Sequence, residues 1–317
     1  MPWKLLFNLL SPGGNNGSLS VLIFHRVPAR MDPLLPDEPD GETFRDIMTW
    51  LAEKFNVLPL AEAVRAHLEG KLPPRAISIT FDDGYADNCT VAMPILQALG
   101  LNATFFIASG FLDGGCMWND AIIESVRRAP PVLDLSDLSL GEIRTGTDEE
   151  KRLAIDSLLG RLKYLEYAER SEKVGAIAEV VGHPLPNDLM LSSEQIIRMR
   201  DAGMTLGAHT LTHPILARLP AAQARREIQS GRSRLVEILG EPIRLFAYPN
   251  GKPGSDYLPE HVGMVREMGF DAAVSTSQGV LRHGGCAFEI PRFTPWRKNT
   301  FGFGAQLARN MSAKDRP

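Results

Sequence analysis

Ala76-Ile77-Ser78-Ile79-Thr80-Phe81-Asp82-Asp83-Gly84 runs an apolar, β-type segment straight into two adjacent carboxylates and a glycine. A short apolar run rich in Ile, Thr and Phe predicts a buried strand over Ala76–Phe81. Two carboxylates directly behind it are costly to bury unpaired. They need a cation, hydrogen-bond donors, or the solvated turn that Asp-Asp-Gly also permits.

The same rhythm extends on both sides. Val21–Phe24 reads as an earlier strand, Ala103–Ala108, Met204–Ala208, Ile243–Tyr248, Asp271–Thr276 and Phe288–Phe293 as later ones. Between them lie helical patterns: one from about Thr43 with Phe44, Ile47 and Leu51 on one face, one over Leu60–Leu68, and one ending at Leu99 before Gly100. Ser192 and Gln195 make a capping-box pattern, Pro220 marks the N1 position of a helix running to Leu239, and Leu258–Met268 is a helix stopped by Gly269. Strands alternating with helices predict βαβ units and a parallel sheet. Six or seven such units predict an α/β fold, a closed or nearly closed barrel. An open doubly wound sheet is the alternative. The stretch of about 112–191 breaks the rhythm and reads as a helical insertion too charged to be core. The expectation is one barrel domain over 1–317, its core at about 20–111 and 192–296.

In such folds functional groups gather where strands end. His25, Asp82 and Asp83, His209, and Asn250 each follow a strand. His209-Thr210-Leu211-Thr212-His213 spaces two imidazoles four residues apart, which puts them on one face of a helix or tight turn. Two nitrogens and one carboxylate make the three-ligand set of an open catalytic zinc site, and the spare carboxylate would then act as base. The same donors also suit a non-haem iron triad, which has no use for a second Asp. Arg244-Leu245-Phe246-Ala247-Tyr248-Pro249-Asn250-Gly251 ends in a turn whose backbone N–H could meet an oxyanion.

These three motifs, in this order, resemble the polysaccharide deacetylases of carbohydrate esterase family 4, the group with the NodB homology domain. The resemblance runs from about Ala76 to Pro295, and Val21–Val27 also looks like the branch with a His after its first strand. It implies a distorted (β/α) barrel, here of about seven strands, and one divalent metal, commonly zinc, held by Asp83, His209 and His213. It implies Asp82 as general base, and the N–H at Asn250 beside Tyr248 as the oxyanion or substrate contact. It implies removal of an N-acetyl group, or less often an O-acetyl group, from an amino-sugar polysaccharide or a lipid-linked precursor. The sequence departs from the family where Ala247 replaces an Arg that orients the base; Arg26 or Arg292 is expected to take over. That departure also motivates a rival, a non-catalytic barrel that binds glycans. The general acid is expected at His25, with His283 in Leu281-Arg282-His283 second. Trp118 and Trp296 are candidates to stack on a sugar, Trp50 is expected in the core, and His67 and His261 are expected in solvent.

The whole chain narrows the field further. It has 317 residues, 44% apolar and 23% charged, with net charge −4. That is ordinary globular usage and argues against a nucleic-acid partner. Three scattered cysteines give neither a disulfide framework nor a thiolate zinc site. No apolar run is long enough to span a membrane. The first ten residues read as a short docked helix, or as an interfacial contact through Trp3, Leu6, Phe7 and Leu10. The expected location is cytoplasmic, at most peripheral at the inner membrane face.

Overall fold

The computed structural model describes residues 2–295 and 297–313. The chain opens with α1 (Pro2–Leu10) and β1 (Leu19–Phe24). Then come α2 (Gly41–Lys54), β2 (Asn56–Val57), α3 (Leu60–Leu68) and β3 (Ala76–Phe81). A π-helical turn over Asn88–Ala92 leads into α4 (Met93–Ala98) and β4 (Thr104–Ile107). Next are α5 (Trp118–Arg128), β5 (Val132–Leu135), β6 (Gly141–Arg144), α6 (Asp148–Leu162) and α7 (Tyr167–Val181). The chain ends with α8 (Ser193–Asp201), β7 (Thr205–Ala208), α9 (Ala221–Leu239), β8 (Leu245–Ala247), α10 (Pro259–Glu267), β9 (Ala272–Val274) and α11 (Thr300–Ser312).

The main sheet runs β1-β3-β4-β7-β8-β9, with β2 on β3, and every pairing is parallel. β1 and β3 are buried at all six positions, as strands covered on both faces must be. The sheet curls into a half-barrel ringed by helices, a distorted (β/α) barrel. Among the described residues no regular strand sits between its ends. Ile290 bridges Val274 and Phe293 bridges Leu22, and Pro291 between them has no N–H for a ladder. The expected strand over Phe288–Phe293 is corrected to these two bridges.

Backbone contacts divide the chain into two compact units. The first takes the described residues up to Arg30, Asp37–Leu112 and the described residues from Leu191 on. It holds the sheet and its helices. The second takes Met31–Pro36 and Asp113–Met190, with its own apolar cluster including Ile122, Val126, Leu133, Leu158 and Ile177. The stretch is therefore not uniformly helical and does have a core. β5 and β6 form an antiparallel pair, and the Val132–Leu135 burial pattern alternates with the strand period.

Local signals explain most helix limits. Asp40 caps α2 by accepting from Thr43 N at 2.9 Å, and the Ser192–Gln195 capping box forms at α8. Pro220 lies one residue ahead of its helix rather than at N1. Two histidines contradict the expectation of solvent: His67 and His261 are buried on the inner faces of α3 and α10. Trp50 packs against the core as expected.

α1 docks through Phe7, which is fully buried against Trp50 and Phe55. Trp3 and Leu10 face the same way, while Leu5, Leu6 and Leu9 face out. The interfacial set read from sequence is thus largely the inward face. Phe7→Ala should cost about 3 kcal/mol of unfolding free energy in a urea titration. A loss below about 1 kcal/mol would mean that α1 does not dock as described.

Candidate active site

β1 and β3 are paired to their last residues, Phe24 opposite Phe81. The next residue in each, His25 and Asp82, therefore emerges at the same sheet edge, and Asp82 N donates to Phe24 O at 3.0 Å. His209 emerges there too, its N–H on Ile107 O at 3.0 Å. Behind Asp82 the chain turns through positive φ at Asp83 (73°) and Gly84 (91°). Asp tolerates the left-handed region better than most residues, and a Cβ at Gly84 would crowd Ile107.

The histidine motif is a turned loop, not a helix face. Thr210 and His213 have φ of 63° and 54°, and Thr210 Oγ1 accepts from His213 N at 3.0 Å. Glu227 of α9 pins the loop from below. Its carboxylate accepts from Leu211 N (3.1 Å), Thr212 N (2.8 Å) and Thr212 Oγ1 (2.9 Å). One turn along α9, any side chain at Gly231 would run into the Thr210 carbonyl. Nothing in the linear sequence singled out Glu227 or Gly231, because their partners are distant in sequence.

Asp83, His209 and His213 converge. Asp83 Oδ1 lies 3.5 Å from His209 Nε2 and 3.4 Å from His213 Nε2. All three ligand atoms are within 4.8 Å of one another. Asp83 Oδ1 is buried with no hydrogen-bond partner among the described residues. Such an orphan is costly unless something else engages it. Ligands at about 2.0–2.1 Å on one tetrahedral ion stand roughly 3.3–3.4 Å apart, close to the 3.5 and 3.4 Å between Asp83 Oδ1 and the two imidazole nitrogens. His209 Nδ1 is 2.8 Å from the Ala247 carbonyl, an acceptor only, so Nδ1 carries the proton and Nε2 is left for an ion. Burial brings the His213 imidazole down to about 4, so it is neutral, as a ligand must be. Burial opposes charge on His209 as well, but the Asp82 and Asp83 carboxylates outweigh it and hold its pKa above the ordinary value. The residues present fit a divalent ion.

Asp82 stands beside this cluster, Oδ2 3.9 Å from His209 Nε2. Both its oxygens are held by Arg292, Oδ1 at 2.7 Å and Oδ2 at 2.6 Å. Arg292 is itself fully buried and also donates to Ser275 O (2.8 Å) and Thr80 Oγ1 (3.2 Å). Burial alone would raise the Asp82 pKa; Arg292 and His209 overcome it and hold it below the ordinary carboxylate value. Arg292 thus does the orienting that Ala247 cannot. Arg26 is engaged elsewhere, on Asp87 at 2.9 Å.

His25 is half-buried at this edge, close enough to bear on the charges of Asp82, Asp83 and His213. Asn88 Nδ2 holds its carbonyl at 2.9 Å, and Asp87 holds Val27 N at 3.2 Å. Glu38 is near as well, burial raising its pKa against the pull of His25. His283 lies at the other end of the sheet. Leu281 bridges Leu19, the first residue of β1, and His283 acts electrostatically on His67. Asn250 takes a left-handed φ of 58°, and its carbonyl accepts from Thr276 Oγ1 at 2.7 Å. Tyr248 corrects the sequence reading: its side chain is fully buried, stacked on Tyr257 at 3.9 Å, its hydroxyl donating to Phe288 O at 3.1 Å. Trp118 carries the Arg170 guanidinium over its ring at 4.9 Å. Trp296 lies outside the described residues.

A polysaccharide deacetylase family model matches residues 69–134 and 162–273. YxkH of Bacillus subtilis (strain 168), named for the same activity, is 32% identical over 293 residues, covering 91% of this chain and 76% of that protein. The chain belongs to the polysaccharide deacetylase family. The family is one of hydrolases that remove acetyl groups from polysaccharides and generally use a divalent metal. Solved structures share the fold. The Streptococcus pyogenes deacetylase PplD, in complex with acetate, superimposes with TM-score 0.62 at 16% identity over 94% of this chain and 100% of that one. IcaB from Ammonifex degensii gives TM-score 0.58 at 20% identity, covering 95% and 99%.

The buried pair yields a stability prediction. Asp82 has a depressed folded pKa, so its contribution is full above the unfolded value of about 3.9 and is lost as pH falls through the folded one. Arg292→Gln leaves a buried carboxylate without its cation and should cost about 3–5 kcal/mol at neutral pH. In the variant Asp82 is expected to titrate upward, so the deficit should shrink as pH falls towards 4. Denaturant unfolding from pH 4 to 8 tests this; a deficit independent of pH would mean the cost is packing alone.

Proposed function

We propose that this chain removes N-acetyl groups from an amino-sugar polysaccharide or its precursor, with a divalent ion, zinc, held by Asp83, His209 and His213. The observation that carries the reading is the placement of Asp82: clamped by Arg292 and facing the ligand cluster without belonging to it. A site that only bound metal, or only bound glycan, has no need of that second carboxylate.

When bound, the ion would act as a Lewis acid and lower the pKa of a coordinated water. The remaining work falls to the chain. Asp82 accepts a proton from the attacking water, and Arg292 keeps its carboxylate in one orientation. The Asn250 N–H is the donor proposed for the oxyanion. Expelling an amine needs a proton, and His25 supplies it from the end of β1. With Arg292 in the orienting position, Ala247 no longer argues for a barrel that has lost activity.

Asp82→Asn keeps size but cannot take a proton. Acetate release from N-acetylated oligosaccharides should fall by about 10²–10⁴-fold, with metal content by elemental analysis unchanged. Loss of the metal in Asp82→Asn and its retention in Asp83→Asn would reverse the two roles.

His25 is tested by its leaving group. His25→Ala should lose most of its rate on amides and the alkaline limb of the pH profile. On an activated acetyl ester, whose leaving group needs no proton, the loss should be at least tenfold smaller. Equal loss on both substrates would remove His25 as the acid.

A further inference from the structure

α1 and α11 pack together and expose large apolar side chains on their outer faces. On α1, Leu5, Leu6 and Leu9 are 66%, 40% and 82% exposed, while Phe7 is buried. On α11, Phe301 is 72% exposed. Its ring meets Trp3 edge-on at 5.6 Å, so the two helices join where their apolar surfaces come out. A single exposed leucine needs no explanation. Three within five residues of one helix, beside an exposed phenylalanine on the next, form a patch.

The charges on the two helices have one sign. Neither helix contains an acidic residue. Lys4 is exposed next to Leu5. Phe301, Ala305 and Arg309 fall at i, i+4 and i+8 of α11, one exposed face of the helix. Arg297 is exposed just before that helix. Glu53, an acid within electrostatic reach of Lys4, is already held by Lys54 at 2.9 Å. This basic surface stands out in a chain whose net charge is −4.

Apolar side chains ringed by cations suit the boundary of an anionic bilayer, where leucine and phenylalanine enter the acyl region and lysine and arginine meet headgroups. A second copy of the chain suits it less, because two-fold pairing would set Lys4 and Arg309 against their own kind. No helix among the described residues is long and apolar enough to cross a membrane. We propose that the outer face of α1 and α11 docks the protein onto an anionic lipid surface, lying in the interface rather than spanning it. This inference is independent of the catalytic reading.

The test is sedimentation of the full chain with vesicles of phosphatidylglycerol and phosphatidylethanolamine, against vesicles of phosphatidylcholine alone. The protein should pellet with the anionic vesicles, and binding should drop about tenfold or more as salt rises from about 0.05 to 0.5 M. The triple variant Leu5→Ser, Leu9→Ser, Phe301→Ser should bind at least about 100-fold more weakly, while remaining folded by its melting curve because these side chains are mostly exposed. Lys4→Glu with Arg309→Glu should erase the preference for anionic lipid. The proposal is overturned if the wild type stays in the supernatant with both vesicles, or if the serine variant binds as well as the wild type. It is also overturned if size-exclusion shows a dimer that the serine variant converts to monomer, since a second copy would then cover the face.

Discussion

Arg292 and Asp82 are both removed from solvent, and neither is tolerable there without the other. Their bidentate pairing at 2.6 and 2.7 Å ties the irregular segment after Pro291 to the end of β3. That segment is also the one that bridges β9 and β1. One interaction therefore does two things. It closes the sheet where no regular strand does, and it fixes the orientation of the carboxylate nearest the ligand cluster. A buried ion pair is weak evidence for stability as such, since an apolar pair of similar volume often serves as well. What this pair adds is orientation: an apolar pair could not hold a carboxylate beside the ligand cluster.

Much of the barrel was legible because its strands are short, apolar and buried on both faces. Ala76–Phe81 was read to the residue, and Leu60–Leu68 likewise, since Gly70 and the change of period mark their limits. The candidate ligands were legible for a different reason. Parallel strands deliver whatever follows them to one edge, so Asp82, Asp83 and His209 could be grouped without knowing any contact. Arg292 was named as one of two candidates on the same logic.

The rest depended on distances that sequence does not carry. The Val132–Leu135 alternation spans four residues and was lost among helical patterns. His67 and His261 sit in charged stretches, yet helix rotation turns them inward. Tyr248 follows β8 and so looked like a site residue, but its ring goes to Tyr257 and the core. His25 and His283 could not be separated by motif. They are separated by register: one follows the last residue of β1, and the other lies two residues past the partner of its first.

Asp82 and Asp83 show how one backbone turn gives two identical side chains different chemistry. Asp82 still follows the strand, with its N–H on the β1 carbonyl at 3.0 Å, so its carboxylate points to the inward guanidinium of Arg292. Asp83 is already in the left-handed region, and the reversal carries its carboxylate to the two imidazoles. Both carry depressed pKa values, each for a different leading attraction after burial: Arg292 for Asp82, His213 for Asp83. The hydrogen-bond ledger separates them more clearly. Asp82 has both oxygens engaged, so it is oriented and can still accept a proton through a free lone pair. Asp83 Oδ1 has no hydrogen-bond donor among the described residues, which is costly for a buried carboxylate unless a cation engages it. The proposed assignment of Asp82 as base and Asp83 as ligand thus rests on how each carboxylate is engaged, and not only on its place in a motif.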